Sequence, residues 1–350
     1  MDSAPRLPVL DALRGYAVLA VMIVHIEQWA PVSSPIAKVY AQHGNYGVRL
    51  FFIVSAISIA MTWHARADGY LRFLVRRLFR LLPGMAFAAI GFAALRGVPE
   101  WWRIAATFTF LDGFTPATVS TAVFGSWTLS AEMMFYLSVP IFAASIRSLR
   151  TAAIWFVCAQ AIFMTGSYVV WPFWNAVYPA GIGAPNDNWF WVSPFTQPKW
   201  FIMGWAIYLL MQRPALSQGA SWALFCLGLS CLAVGPFVRS STGHEFALMF
   251  GLPVAVYAMV CGAASALDNA PMRWLGKISY SMYLWHFVIE WKLFDYLQGP
   301  SFPVLFVSTL AVTALCSWAT YLLIERPGIR LGAALLRSRA RRPVGTPASV

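Results

Sequence analysis

The sequence predicts an all-α integral membrane protein, built as a bundle of about ten transmembrane helices. Hydrophobic residues make up 59% of the 350-residue chain and charged residues only 11%, and the mean hydropathy is +0.64. Soluble domains carry about 25% charged residues, so this composition indicates a polytopic membrane protein. A succession of apolar segments, each near the length of about 20 residues that crosses a bilayer as a helix, supports the same class.

These apolar segments follow one another along almost the whole chain. The ten predicted spans cover residues 9–30, 47–64, 81–97, 127–145, 152–171, 198–212, 219–238, 245–266, 278–297 and 303–324. Segment 101–114 is shorter and carries Arg103 and Asp112, which favours an interfacial or re-entrant position. We therefore predict one membrane domain at 1–335, followed by a basic, disordered tail at 336–350 near the lipid headgroups.

The basic residues predict the orientation. With the N-terminus in the cytoplasm, the cytoplasmic segments and their flanks hold 18 of the 25 Lys and Arg residues, as the positive-inside rule expects. Both termini are then cytoplasmic. The net charge of +12 is spread beside apolar segments, so it indicates contact with the bilayer and no nucleic-acid partner. The five cysteines fall within apolar spans without ligand spacing, which predicts core packing and no metal site.

The first span, in the stretch "LDALRGYAVLAVMIVH", carries an arginine and a histidine. Arg14 and His25 are eleven residues apart, about 20° past three full turns, so they share a helix face at an axial separation of about 16 Å. A charge at mid-bilayer costs about 3 kcal/mol or more, so such residues turn to a partner or a wet cavity. The alternatives are an interfacial pair of Arg14 with Asp11, and a helix–helix hydrogen bond for His25.

Three further polar residues fall within predicted spans. Glu132 lies near the start of the fourth span, where it either serves a site or pins the helix by a buried hydrogen bond. His286 and Glu290 are four residues apart and share a helix face. A carboxylate beside an imidazole fixes its tautomer and suits a general base, although the two also form a self-satisfied polar pair.

A basic cluster precedes the third predicted span. In "FLVRRLFRLLPG", Arg77 and Arg80 are three residues apart and share a helix face. Guanidinium groups suit phosphate recognition because they donate paired hydrogen bonds. The alternative is a positive anchor at the lipid headgroups.

At these residues the chain resembles the acyltransferase 3 family of integral-membrane enzymes. The opening stretch with Arg14 and His25, "GVRLFFIVSAISI", "RRLFRLLPG", "WTLSAEMMFY" with Glu132, "ISYSMYLWHF" with His286, and "IERP" are similar to its motifs, in the family's order, across residues 7–330. The second motif departs from the family pattern. Arg49 stands where an acidic residue is usual and Ala56 where a glycine is usual, and a basic residue there is expected to change acceptor preference.

The resemblance implies an O-acyltransferase of the bacterial cell membrane, with no tightly bound cofactor. The donor would be acyl-CoA, acetyl-CoA above all, on the cytoplasmic side, its phosphates bound by Arg77 and Arg80 with Arg14 as a further contact. His25 would deprotonate the acceptor hydroxyl or carry the acyl group, and Glu132 would orient the base or the acceptor. The acceptor would be an extracytoplasmic glycan or glycosylated small molecule, with His286, Glu290 and Arg49 as possible additional site residues.

Two features keep other interpretations open. The tryptophan-rich outer segment 171–200 suits the binding of a sugar ring, but equally an aromatic belt at the membrane interface. A polar face through the membrane also fits a transporter or flippase of a glycan precursor without acyl chemistry, or a catalytically silent relative that acts as a scaffold. The transporter hypothesis further predicts paired, Gly/Pro-broken spans, and these are not evident in the sequence.

Overall fold

The computed structural model describes residues 7–65, 69–173, 189–238 and 241–340, and these contain helices but no β-strand. The α-helices are α1 (Pro8–Trp29), α2 (Pro35–Gln42), α3 (Tyr46–Ala65), α4 (Tyr70–Arg96), α5 (Trp101–Phe108), α6 (Trp127–Ser145), α7 (Leu149–Thr165), α8 (Trp189–Val192), α9 (Pro198–Leu210), α10 (Gln218–Val234), α11 (Ser241–Val260), α12 (Ala270–Tyr296), α13 (Phe302–Thr320) and α14 (Arg326–Ala340). Two π-helical turns, Gly166–Val170 and Tyr321–Glu325, extend α7 and join α13 to α14. The all-α prediction is confirmed.

Eight helical stretches in the described ranges are long and apolar enough to cross a membrane. They are Pro8–Trp29, Pro35–Ala65, Tyr70–Arg96, Trp127–Ser145, Leu149–Phe173, Gln218–Phe237, Gly243–Val260 and Phe302–Arg337. Each contains or overlaps one of the ten predicted spans. A multi-pass bundle therefore follows from the helices themselves.

The two remaining predicted spans are helices that differ from a simple transmembrane segment. Helix α9 has only 13 residues, about 20 Å of helix, which is short for a bilayer. Helix α12 has 27 residues, but Lys277, Glu290 and Lys292 lower its hydropathy. Both helices carry many buried side chains, so they belong to the interior of the bundle.

Helix α1 lies at the centre of the bundle and packs chiefly against α12 and α3. Glycines permit this close approach. A Cβ atom at Gly276 of α12 would lie 1.8 Å from the backbone oxygen of Asp11, and one at Gly15 of α1 would lie 2.3 Å from that of Met272. The backbones of α1 and α12 are thus in direct contact, as small residues allow in membrane bundles.

Short segments and the end of the described chain refine three predictions. Segment 101–114 holds only α5 and a 3₁₀ turn at Asp112–Phe114, too short to span a bilayer, as expected.

Helix α14 continues to Ala340, so the predicted tail at 336–350 starts as helix, and residues 341–350 lie outside the described ranges. The cysteines were expected in the core, but Cys158, Cys226 and Cys316 are exposed and the other two half-buried, because their helix faces point away from the protein interior.

Candidate active site

A cavity of about 440 Å³ opens beside the N-terminal half of α1. Its charged lining consists of four cations and three carboxylates, contributed by α1, α4, α6, α12 and the π-turn before α14: Arg14, Arg77, Arg80, Lys277, Asp11, Glu132 and Glu325. Hydroxyl groups from α3, α6, α12 and the same π-turn line the rest of its polar wall. The cavity thus brings together residues far apart in sequence.

Hydrogen bonds account for each carboxylate of this cavity. Asp11 forms an ion pair of 2.9 Å with Arg14, whose second nitrogen donates to the Ser58 hydroxyl at 2.6 Å. The predicted Arg14–Asp11 pair is therefore present, and Arg14 also faces the cavity.

The two remaining carboxylates accept from hydroxyl donors. Ser55 donates to Glu132 Oε1 at 2.6 Å, and the Tyr136 hydroxyl donates to the same oxygen. Ser281 donates to Glu325, which is buried. Neither Glu132 nor Glu325 therefore forms a direct ion pair with Arg77, Arg80 or Lys277.

Arg77 and Arg80 keep their charge available. Within the described chain, neither guanidinium has a carboxylate oxygen within 4 Å, and Arg77 instead lies over the rings of Phe73 and Tyr136 at 5.2 and 5.5 Å. Lys277 lies in the same cavity and is likewise unpaired. Unpaired guanidinium groups at one wall suit a polyanionic group such as a phosphate.

A second cavity, of about 220 Å³, lies beside the C-terminal half of α1. His25 and Arg49 border it, together with Asn45 of the segment before α3 and with Trp127. His25 Nδ1 is 3.4 Å from the Gln28 amide oxygen. A proton held on Nδ1 by that oxygen would leave Nε2 free as the acceptor that a general base requires.

The two cavities share part of their lining. Val48 of α3 and Tyr283 of α12 border both of them. The Tyr283 hydroxyl donates to the Gly125 carbonyl at 3.2 Å, which fixes the ring against the start of α6. The cationic cavity and the His25 cavity are therefore adjacent. Val48 and Tyr283 are the described residues that line both, so they form the boundary between the two cavities.

His286 and Glu290 do not form the predicted pair. His286 Nδ1 is 3.2 Å from the Met282 carbonyl of its own helix, and its Nε2 has no hydrogen-bond partner within the described chain. One oxygen of Glu290 is also unpartnered there. His286 instead lies against His25, with ring centroids 5.4 Å apart, because the face of α12 that carries it packs on α1.

Several site residues were absent from the sequence-based prediction. Ser55, Ser58 and Thr62 line the first cavity from α3, and their spacing of three and four residues on one face was a detectable signal. Tyr136 follows Glu132 by one helical turn and offered the same signal. Tyr283 and Val48 gave none, because aromatic and apolar residues are common throughout these spans. Half of the predicted acceptor segment 171–200, residues 174–188, lies outside the described ranges.

Asp112 connects the loop before α6 to that helix. It is only 1% exposed, and its carboxylate accepts from Ser126 and, at 2.5 Å, from Ser130. Burial raises the pKa of Asp112 above its ordinary value, against the opposing effect of these hydrogen bonds. Since residues 125 and 127–129 line the two cavities, this carboxylate holds part of both walls in place.

Comparison with known proteins finds bacterial membrane acyltransferases. The chain is 25% identical to the acyltransferase MdmB of Streptomyces mycarofaciens, over 97% of this chain and 95% of that protein. It is 25% identical to the putative peptidoglycan O-acetyltransferase YrhL of Bacillus subtilis and 24% identical to the O-acetyltransferase OatA of Staphylococcus aureus, over 92% and 93% of this chain. The chain spans only 54% and 58% of the lengths of those two proteins.

The family comparison covers the site as well as the fold. A family model for an acyltransferase domain, acyltransferase 3, matches residues 7–322. This range includes every residue that lines the two cavities except Glu325 and Ile329 of the larger one. No solved structure matches the chain. Membership in an enzyme family favours acyl transfer over the transport that a polar helix face also allowed. The chain belongs to the acyltransferase 3 family and is a multi-pass membrane acyltransferase.

Proposed function

We propose that this protein is an O-acyltransferase that moves an acetyl group from cytoplasmic acetyl-CoA to a hydroxyl of an extracytoplasmic glycan or glycosylated small molecule. The observation that carries the proposal is the pair of adjoining cavities, one holding unpaired arginines and the other holding His25. In the proposed topology ten helices span the membrane, with α9 and α12 included, and both termini are cytoplasmic. The bias of basic residues supports this orientation.

The donor enters the larger cavity. Arg77 and Arg80 bind phosphate groups of CoA, and Lys277 adds positive charge in the same cavity. Arg14, whose charge is paired with Asp11, is a further contact there. The thioester then points toward the boundary formed by Val48 and Tyr283. A boundary of a branched and an aromatic side chain favours a short acyl group, which supports acetyl as the group transferred.

The acceptor binds in the cavity that contains His25. His25 Nε2 takes the proton of the acceptor hydroxyl while Gln28 holds the proton on Nδ1. The hydroxyl oxygen attacks the thioester carbonyl carbon, the C–S bond breaks, and CoA leaves as a thiolate that is protonated from His25 or water. Glu132, fixed by Ser55 and Tyr136, maintains the polar wall along which the donor arm lies.

The test uses the full-length protein reconstituted in sealed vesicles, with acetyl-labelled acetyl-CoA supplied on the side of the N-terminus and a glycan mixture on the other. We expect label in the glycan from wild type and none from His25→Ala. The matched control is His64→Ala, a histidine of α3 that borders neither cavity and should retain transfer. Label that reaches glycan equally well in His25→Ala would remove His25 from the reaction. Label bound covalently to wild type after rapid denaturation at neutral pH, and absent from His25→Ala, would replace direct transfer by an acyl-histidine intermediate.

A further inference from the structure

Arg49 places an uncompensated cation in the cavity that holds His25. It lies in the first turn of α3 and borders this cavity with His25 and Asn45. Its only hydrogen bond within the described chain runs from Nη1 to the Asn45 carbonyl at 3.2 Å. Its Nε is buried without a partner, and no carboxylate oxygen of the described residues lies within 4 Å of the guanidinium.

Aromatic rings hold this guanidinium in place without neutralising it. The Tyr46 ring lies 4.5 Å and the Trp200 ring 5.8 Å from its central carbon. Such cation–π contacts fix the orientation of an arginine without using its N–H groups. Since Nη1 donates one hydrogen bond to the Asn45 carbonyl, the remaining N–H groups of Nη1 and Nη2 are the ones left to donate. The arginine is therefore presented to the cavity as a fixed donor fork.

A second cation, Lys199, shares the Trp200 ring with Arg49, although it does not border the cavity and lies closest to the Phe163 ring, at 3.6 Å. Lys199, 3% exposed, has its ammonium 5.7 Å from the same Trp200 ring, and its hydrogen-bond partner is the neutral Gln160 at 3.5 Å. Glu245 is the carboxylate that acts on Lys199 electrostatically, but it forms no ion pair within 4 Å with either cation. A partly buried cation such as Arg49, without a carboxylate within ion-pair distance, is costly, and an anionic ligand in the cavity that it borders would recover part of that cost.

From this geometry we infer that the acceptor carries an anionic group, a carboxylate or a phosphate, which Arg49 binds so that a neighbouring hydroxyl faces His25. This inference rests on the proposed function and names the class of acceptor for that site. A guanidinium fork matches both kinds of anion by two parallel hydrogen bonds.

The experiment measures binding without turnover. The full-length protein in detergent, free of acyl-CoA, is titrated with methyl β-D-glucuronide, methyl β-D-glucoside 6-phosphate and neutral methyl β-D-glucoside at matched ionic strength, by saturation-transfer NMR. We expect at least one anionic probe to bind wild type about tenfold more tightly than the neutral one, which corresponds to about 1.4 kcal/mol. Arg49→Gln should lose this preference. Lys38→Gln removes an equal charge from the exposed face of α2 and should keep it.

Each remaining outcome decides the inference. Equal binding of all three probes by wild type would overturn it, and so would an anion preference that survives Arg49→Gln. If Arg49→Gln does not fold, Arg49→Lys replaces it. That variant keeps the charge but not the fork, so it should weaken the anionic probes and leave the neutral probe unchanged. The ratio of the two anionic probes identifies the carboxylate or the phosphate as the preferred group. Because no acyl-CoA is present, failure here leaves the vesicle test of acyl transfer untouched.

Discussion

Val48 and Tyr283 face both the cavity that holds Arg77 and Arg80 and the cavity that holds His25. In the proposed mechanism, a donor bound at the arginines and an acceptor bound at His25 therefore meet at these two side chains, the residues of the described chain that line both cavities. Tyr283 is fixed by its hydrogen bond to the Gly125 carbonyl, and Gly125 has the positive φ of 78° that favours glycine. The boundary between the two cavities is thus a defined structural element, suited to hold the thioester during transfer.

Enlarging Val48 should separate donor binding from transfer. Val48 is 8% exposed and lines both cavities, so the larger ring of Val48→Phe would extend into the space at the boundary between them. We expect acetyl-CoA to bind as in wild type and acetyl transfer to fall by about a hundredfold or more, since a displacement of about 1 Å at a reacting centre has that effect. Equilibrium binding of labelled acetyl-CoA and the vesicle transfer assay measure the two quantities.

The smaller Val48→Ala variant is the control for this prediction, because it opens the boundary without filling it. It should retain acetyl transfer and accept propionyl-CoA or butyryl-CoA better than wild type. Unchanged acetyl transfer by Val48→Phe would show that the acyl group does not pass between Val48 and Tyr283.

Removing one guanidinium from the larger cavity should weaken donor binding. Hydrogen bonds to charged groups contribute about 1.5–3 kcal/mol, so Arg77→Gln and Arg80→Gln should each raise the Kd for acetyl-CoA by about tenfold to a hundredfold. Arg72→Gln is the matched control, because Arg72 is exposed on the same helix and does not border the cavity. A Kd that rises equally in all three variants would attribute the effect to the net charge of α4.

The structure agrees with the sequence-based prediction where the prediction rests on the spacing of residues within one helix. The spacing of Arg14 and His25, and of Arg77 and Arg80, was enough to place them on shared helix faces, because helix geometry fixes such relationships. The spacing of His286 and Glu290 did not predict their partners. Both lie on one face of α12, yet tertiary packing turns His286 toward His25 on α1. Which helices meet, and which aromatic side chain closes a cavity, depends on contacts between distant segments that periodicity does not encode.

The buried carboxylate of Asp112 should give stability a characteristic pH dependence. Its pKa is raised in the folded protein above the ordinary 3.8, so the folded state holds this proton more tightly than the unfolded state. Its contribution is therefore most favourable below pH 3.8 and is lost as the pH rises from there through the folded pKa.

Asp112→Asn removes this titration and keeps a polar group beside Ser126 and Ser130. The difference in Tm between the variant and wild type should consequently shift in favour of the variant as the pH rises through that window. Glu100→Gln, which removes a half-exposed carboxylate paired with Arg103 at the nearby start of α5, is the control for the loss of a carboxylate from this segment. A constant difference for Asp112→Asn across the window would contradict the raised pKa.

The contact between α1 and α12 gives a prediction about the fold that holds the site. A Cβ at Gly276 would lie 1.8 Å from the Asp11 oxygen and 2.6 Å from its carbonyl carbon, so Gly276→Ala must push the two backbones apart. Overpacking of this kind costs about 1–3 kcal/mol. We expect a lower Tm in detergent and, because Asp11 pairs with Arg14 in the larger cavity, where we propose that the donor binds, weaker binding of acetyl-CoA.

Gly219→Ala is the control for the helix substitution itself. A Cβ at Gly219 would meet nothing within 4 Å, and alanine is favoured over glycine in a helix by about 0.5–1 kcal/mol. Gly219→Ala should therefore leave the Tm unchanged or raise it slightly, with acetyl-CoA binding as in wild type. If Gly276→Ala behaved in the same way, the backbones of α1 and α12 would not be in contact. The central position of α1, on which the alignment of the two cavities depends, would then need revision.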